Sequence, residues 1–191
     1  MEFNELVEQR QSCRAYDNER EIEADKLERI IEAARLAPSA CNSQPWHLIT
    51  VTDASLRAEV ADALTSIGMN RWASQATAFV VIVQESPNFT ARLGGWIKNK
   101  HFPLIDCGIV ASHISLAATN EGLGSCILGW FDEKRIKRLL SIPRSKRVLM
   151  IVSLGYSLDA QRQHIRKPLD QCRQTINIRK QQWKPISRLK I

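Results

Sequence analysis

The chain has no Cys-x-x-Cys pair, no run approaching the roughly 18 consecutive apolar residues of a membrane span, and no basic start followed by an apolar stretch. Its five cysteines, at 13, 41, 107, 126 and 172, are odd in number, which argues against both a disulfide framework and a zinc knuckle. Reduced, mostly structural thiols in a soluble cytoplasmic protein are the expectation. Only four histidines occur, with no His/Cys/Asp spacing of ligand type, so no metal is expected. There is no Gly-x-Gly-x-x-Gly after a first strand and no Gly-x-x-x-x-Gly-Lys-Ser/Thr, which removes a dinucleotide-binding Rossmann unit and a P-loop. Repeats and low-complexity stretches are also missing.

What is present is enough apolar sequence for one core: 44% of 191 residues fits a single domain over 1–191. The net charge of +7 is unevenly spread. Residues 161–191 carry nine Lys/Arg and one acid, so they sum to +8, and the first 160 residues sum to −1. The basic segment also holds Ile176, Ile178, Trp183, Ile186 and Leu189. It reads as an arm, from about 160 to 191, that packs on something; a solvated basic tail is the alternative, and nucleic acid an outside partner.

Helices and strands alternate along the rest. Phe3, Leu6 and Val7 mark a short helix, and Leu27, Ile30, Ile31 and Ala34 recur at helical spacing from Ala24 to Leu36. Residues 47–52 read as a strand, 56–64 as a helix, and the β-branched run 78–83 as a central strand covered on both faces. Residues 85–104 lack a period and read as an irregular, mobile stretch. Asp106 reads as the N-cap of a buried helix ending near Asn120, with Gly122 at its C-terminal end. A strand at 125–128, a helix capped by Asp132 and a strand at 147–156 complete the set. His47, His113, Trp46 and Phe131 are expected to be packed residues, and Trp96 either packed or facing a substrate.

Two local clusters carry chemistry. Residues 37–46, Ala-Pro-Ser-Ala-Cys-Asn-Ser-Gln-Pro-Trp, combine stiff prolines with hydroxyls and the amides of Asn42 and Gln44, a composition suited to a flat, polar-edged heterocycle. The same residues also make ordinary helix-to-strand turns. In an extended segment Arg10, Ser12 and Arg14 point one way, and two guanidiniums with a hydroxyl suit a phosphate. In a helix Ser12 would leave that face, and the cluster would be a solvated basic turn.

Arg10-x-Ser12-x-Arg14, the helix ending Ala33-Ala34-Arg35-Leu36-Ala37-Pro38-Ser39, and Asn42-x-Gln44-Pro45-Trp46 together resemble the FMN-dependent nitroreductase family. Asp106-Cys107-Gly108-Ile109, Glu121-Gly122-Leu123-Gly124, Gly129-Trp130-Phe131, Leu154-Gly155-Tyr156 and Arg166-Lys167-Pro168-Leu169 follow in the family's order. The resemblance implies an α+β, nitroreductase-like fold: a central mixed β-sheet flanked by helices, in an intertwined homodimer with exchange of the C-terminal arm. It also implies bound FMN at the interface and NAD(P)H as transient donor, with hydride passed by a ping-pong mechanism to nitroaromatic, quinone or similar electron-poor acceptors. No protein side chain is then catalytic, since the flavin carries the chemistry.

On the matched positions the resemblance assigns Arg10, Ser12 and Arg14 to the phosphate and ribityl end, with Arg166 or Lys167 closing on it. Asn42 and Gln44 take the polar edge, Asn70 stands near the ring, and Pro38, Ser39 and Ala40 come from the partner subunit. Ile127, Leu128, Gly129 and Trp130 flank the ring. The alternatives are a flavin-fold relative with another redox reaction, dehydrogenation or reductive dehalogenation, and a non-enzymatic basic interaction protein. The stretch before Asp106 is shorter than the helical excursion of larger relatives, which implies a more open substrate pocket.

Overall fold

A computed structural model of the chain describes residues 1–65 and 68–173, and its centre is the apolar run that begins at Ala78. In chain order the elements are α1 (Phe3–Gln9), β1 (Tyr16–Asp17), α2 (Ala24–Arg35), β2 (Trp46–Val51), α3 (Ala54–Leu64), β3 (Ala78–Gln84), α4 (Phe89–Lys98), α5 (Phe102–Asn120), β4 (Gly124–Leu128), α6 (Glu133–Leu139), β5 (Arg147–Ser157) and α7 (Leu169–Cys172). Single 3₁₀ turns lie at Ala40–Asn42 and Arg71–Gln75. The chain divides into two compact units, Met1–Gln161 and Arg162–Ile191.

Side chains alternate across a strand, so a strand apolar at every position needs cover on both faces. β3 meets that requirement. Phe79, Val81 and Val83 join a core with Val60, Leu64, Ala73 and Ile136, while Ala78, Val80 and Ile82 join another with Leu27, Ile30, Ala34, Val110 and Ile114. The sheet is therefore a middle layer, with α3 and α6 on one side and α2 and α5 on the other.

β5 pairs antiparallel with β3, β4 and β1, and β2 pairs antiparallel with the far side of β3. A parallel bridge between Ser12 and Ser125 makes the sheet mixed. Between the pairs Ile82 with Met150 and Val83 with Val148, Leu149 is an extra residue, a bulge that lets Val148 and Ile151 face the same core.

α5 is long and apolar enough to cross a membrane, yet Val110, Ala111, Ile114 and Ala118 are buried against the sheet and α2. It begins four residues before Asp106, with Pro103 in its first turn. Asp106 is thus an interior helical residue rather than the expected N-cap.

The stretch 85–104 is not irregular either. The Asn88 side chain accepts the Ala91 N–H at 2.9 Å and starts α4, which ends on left-handed Asn99. Gly94 and Gly95 hide this helix from periodicity, because glycine is a poor helix former. Gly95 is required by packing: a Cβ there would stand 2.8 Å from the Lys100 carbonyl oxygen. His47 is exposed on β2, contrary to the packed reading, while His113 is half-buried with Nδ1 2.9 Å from the Ile109 carbonyl. Trp46 and Phe131 pack against the two cores as expected, and Trp96 is 82% exposed on α4.

Glu133 joins α6 to β5. Its carboxylate accepts the Val148 N–H, the Arg147 Nε and the Lys137 ammonium, each at 2.9 Å. Burial pushes this carboxyl up, but Arg147, Lys137 and the Val148 amide outweigh it and hold the group at about 2. Because the folded value lies below the ordinary 4.5, the stabilisation is complete above about 4.5 and is lost as pH falls toward 2. Glu133→Gln is therefore expected to lower the urea midpoint at pH 7. The gap to wild type should close with acidification through that window, and an equal gap at both ends would refute the linkage.

In the second unit, Arg166 Nη1 donates to the Ile165 carbonyl at 2.9 Å, and α7 is a single turn. The arm's apolar residues Ile176, Ile178, Trp183, Ile186 and Leu189 lie outside the described residues.

Candidate functional site

α1 stops at Gln9, and Arg10 already has extended backbone angles (φ −62°, ψ 110°), so residues 10–14 meet the condition on which the arginine cluster depends. The Cys13 N–H donates to the Ser125 carbonyl at 2.9 Å, which lays this segment along β4. Close contact requires Gly124, where a Cβ would stand 2.7 Å from Cys13 Sγ. Cys13 is fully buried, so Arg10, Ser12 and Arg14 take the opposite side.

The Cys126 thiol on β4 feels all three. Burial pushes the Cys126 thiol up, and Arg14, the Ser12 hydroxyl and Arg10 pull it back. Neither guanidinium is ion-paired with an acid among the described residues. Two uncommitted cations and a hydroxyl thus converge on one spot.

Along β4 the alternation turns Ile127 outward, 41% exposed, and Leu128 into the core. Of the residues expected to flank a ring, Leu128 therefore presents its side chain to the interior. Beyond the strand, Trp130 is about half exposed, and a Cβ at Gly129 would meet no atom within 4 Å, which leaves the ledge open. Asn70, in a left-handed conformation (φ 55°), donates from Nδ2 to the Leu64 and Trp130 carbonyls at 3.3 and 3.4 Å. The structure thus joins Asn70 to the Trp130 ledge.

The amide-rich loop is strained and held. Cys41, Asn42 and Gln44 all have positive φ, at 52°, 50° and 46°. Each such non-glycine residue costs roughly 1–2 kcal/mol and persists only where its surroundings over-determine it. Here they do. Ser39 Oγ accepts the Gln44 N–H at 2.9 Å, Gln44 Nε2 donates to Asn42 Oδ1 at 3.1 Å, and Asn88 donates to Ser43 Oγ and to the Cys41 carbonyl. Asp106, only 3% exposed, accepts the Ala40 N–H on both oxygens at 3.2 and 3.3 Å. Pro38, Asn42 and Gln44 stay exposed, with Ser39 and Ala40 half-buried.

One protomer does not bring the two clusters together. The loop enters β2, at one edge of the sheet, whereas Arg10, Ser12 and Arg14 lie on the segment alongside β4. β3 and β5 stand between, a separation of about 14 Å at the usual strand spacing. Asn88, the loop-holding role of Asp106, and Cys126 are the contributions that the residue patterns missed. The first was legible as an N-cap before an apolar stretch; the other two depend on tertiary contact alone.

The profile of the Nitroreductase family matches residues 7–156, and the chain belongs to that family. Among solved structures, a nitroreductase family protein of Clostridium novyi NT is 33% identical, with a TM-score of 0.73 over 83% of this chain and 87% of that one. An FMN-dependent nitroreductase of Clostridium difficile R20291 is 28% identical, with a TM-score of 0.72 over 90% of this chain and 97% of that one. An oxygen-insensitive NADPH nitroreductase of Helicobacter pylori 26695 is 28% identical across 85% of this chain and 91% of its own length. The fold is nitroreductase-like and the protein is an oxidoreductase of that family.

Proposed function

We propose that this chain is an FMN-dependent enzyme that takes reducing equivalents from NAD(P)H and passes them to nitroaromatic, quinone or similar electron-poor acceptors, working as a homodimer. The observation that carries the reading is the extended segment beside β4, which puts Arg10, Ser12 and Arg14 on one side with neither guanidinium ion-paired among the described residues. Phosphate fits this donor set, since arginine offers a planar fork to its oxygens and stays charged at any working pH.

When bound, FMN supplies the hydride-accepting and hydride-donating chemistry. The protein's residues hold it. Arg10, Ser12 and Arg14 take the phosphate and ribityl end. Asn42, Gln44 and Asn70 present amides to the polar edge, and donors there stabilise negative charge on the reduced ring system. Ile127, Gly129 and Trp130 form the ledge beneath the ring, and Leu128 anchors that ledge in the core.

Pro38, Ser39 and Ala40 come from the partner subunit. The loop and the arginine cluster lie at different strands of one protomer's sheet, about 14 Å apart from β2 to β4 at the usual strand spacing, which leaves room beside the cluster for a second copy's loop. Phe3 and Val7 on α1 and Leu104 and Ile105 on α5 are exposed apolar residues available to such an interface. Phe89, Leu93, Trp96 and Ile97 give α4 an exposed apolar face beside the loop, suited to a flat aromatic acceptor. Five free cysteines fit a reducing, cytoplasmic setting.

The test is spectroscopic. The purified protein should be yellow, release FMN on denaturation at one per chain, bleach on mixing with NADPH or NADH in stopped flow, and recover colour on adding a nitroarene. Colourless protein that added FMN cannot reconstitute would end this reading.

A further inference from the structure

Residues 133–147, Glu-Lys-Arg-Ile-Lys-Arg-Leu-Leu-Ser-Ile-Pro-Arg-Ser-Lys-Arg, hold seven cations and one acid. Four of the seven are matched: Arg135 with Asp62, Lys137 and Arg147 with Glu133, and Lys146 with Glu85. Lys134, Arg138 and Arg144 have no acidic partner among the described residues. Those three are the ones that line a groove of about 690 Å³, together with Lys137, Ser141, Ile142 and Pro143. That volume lies within the roughly 300–1,000 Å³ of small-molecule sites.

Cations near a helix C-terminus often just answer the helix dipole. That accounts for Lys137 and Arg138 in the last turn of α6. It does not account for Lys134, which sits in the first turn where positive charge is disfavoured, or for Arg144, which lies beyond the helix. The turn that gathers them is built to hold its shape. The Ile142 N–H donates to the Lys137 carbonyl at 2.9 Å and the Ser141 N–H to the Arg138 carbonyl at 3.4 Å, with Ser141 left-handed at φ 54°. Glycine is the usual residue at that point of such a helix stop. A serine there is strained and adds a hydroxyl to the groove wall. Ile142 is buried and pins the turn to the core.

We infer that this groove is an anion site, separate from the flavin site, that takes a polyphosphate group, free or as the tail of a nucleotide. Three unmatched cations around one concavity, with the Glu133-paired Lys137 beside them, focus a positive potential that a multiply charged anion relieves. Two arginine forks and two lysines match several phosphate oxygens, and Ile142 with Pro143 offers an apolar wall.

The experiment is isothermal titration of the FMN-loaded protein at about 0.15 M salt with inorganic tripolyphosphate and with ADP. Filling the flavin site beforehand keeps its phosphate pocket out of the measurement. Wild type should bind with Kd below about 1 mM, and R138Q/R144Q should weaken this at least about tenfold, as should K134Q by a smaller factor. Lys98→Gln, on α4, is the control and should bind as wild type does. Equal affinities for the two ligands identify the phosphate chain alone as the recognised group; tighter binding of ADP assigns the nucleoside to the apolar wall. Absence of binding, or R138Q/R144Q binding as tightly as wild type, overturns the inference.

Discussion

Replacing Arg10 and Arg14 together by alanine is expected to weaken FMN binding by about 2–4 kcal/mol, roughly 30- to 900-fold, through loss of charge-assisted contacts to phosphate. The same change should leave the FMN-free protein within about 0.5 kcal/mol of its original stability, because neither side chain is buried and neither is ion-paired among the described residues. This split between affinity and stability is what makes the result informative. A structural role would lower both together. Fluorescence titration of FMN against the stripped protein, alongside a thermal melt, measures the two quantities. Unchanged affinity would remove these residues from the site and with them the observation on which the functional reading rests.

Asp106→Ala is expected to act in the opposite way. The carboxylate is buried inside α5 and satisfies the Ala40 N–H from a loop that carries three left-handed residues. Removing it leaves that donor without its partner and opens a small void, for a loss of about 2–3 kcal/mol. Asp106→Asn, which keeps one acceptor oxygen, should lose less. The Ala40 amide should exchange faster in the alanine variant, since the loop would open locally at lower cost. Turnover is expected to fall in proportion to loop order, the behaviour of a positioning residue. An Asp106→Asn protein with wild-type stability, a protected Ala40 amide and no turnover would instead mark the carboxylate as a participant in the chemistry.

Both predictions concern residues that the sequence alone flags, yet it ranks them differently from the structure. Arg10, Ser12 and Arg14 were legible as a cluster because period-two alternation needs only local backbone, and the extended geometry after Gln9 satisfies it. Asp106 was misread for the same kind of reason. A carboxylate before an apolar helical run matches an N-cap, and only the start of α5 at Phe102 shows that it lies a full turn inside. The helix α4 was lost because Gly94 and Gly95 depress local propensity, while its stability comes from the Asn88 cap and its contact with the loop at 41–43. The outward turn of Ile127 and inward turn of Leu128 also required the register of β4 on β5.

By itself, then, the chain's residue order settled the periodic elements and the family: continuous apolar, β-branched runs specify β3 and β5, helical spacing specifies α2 and α3, and short motifs mark the arginine cluster and the amide loop. Those are properties of neighbours along the backbone, where steric and hydrogen-bonding rules act over a few residues. Tertiary structure alone decided which groups meet. It placed the loop and the arginines on different strands of one sheet, tied Asp106 to Ala40 across 66 residues, and left Lys134, Arg138 and Arg144 facing one groove without acids. The reason is that long-range contacts follow from how two faces of a sheet are covered, and that choice is made by the whole core at once rather than by any local pattern.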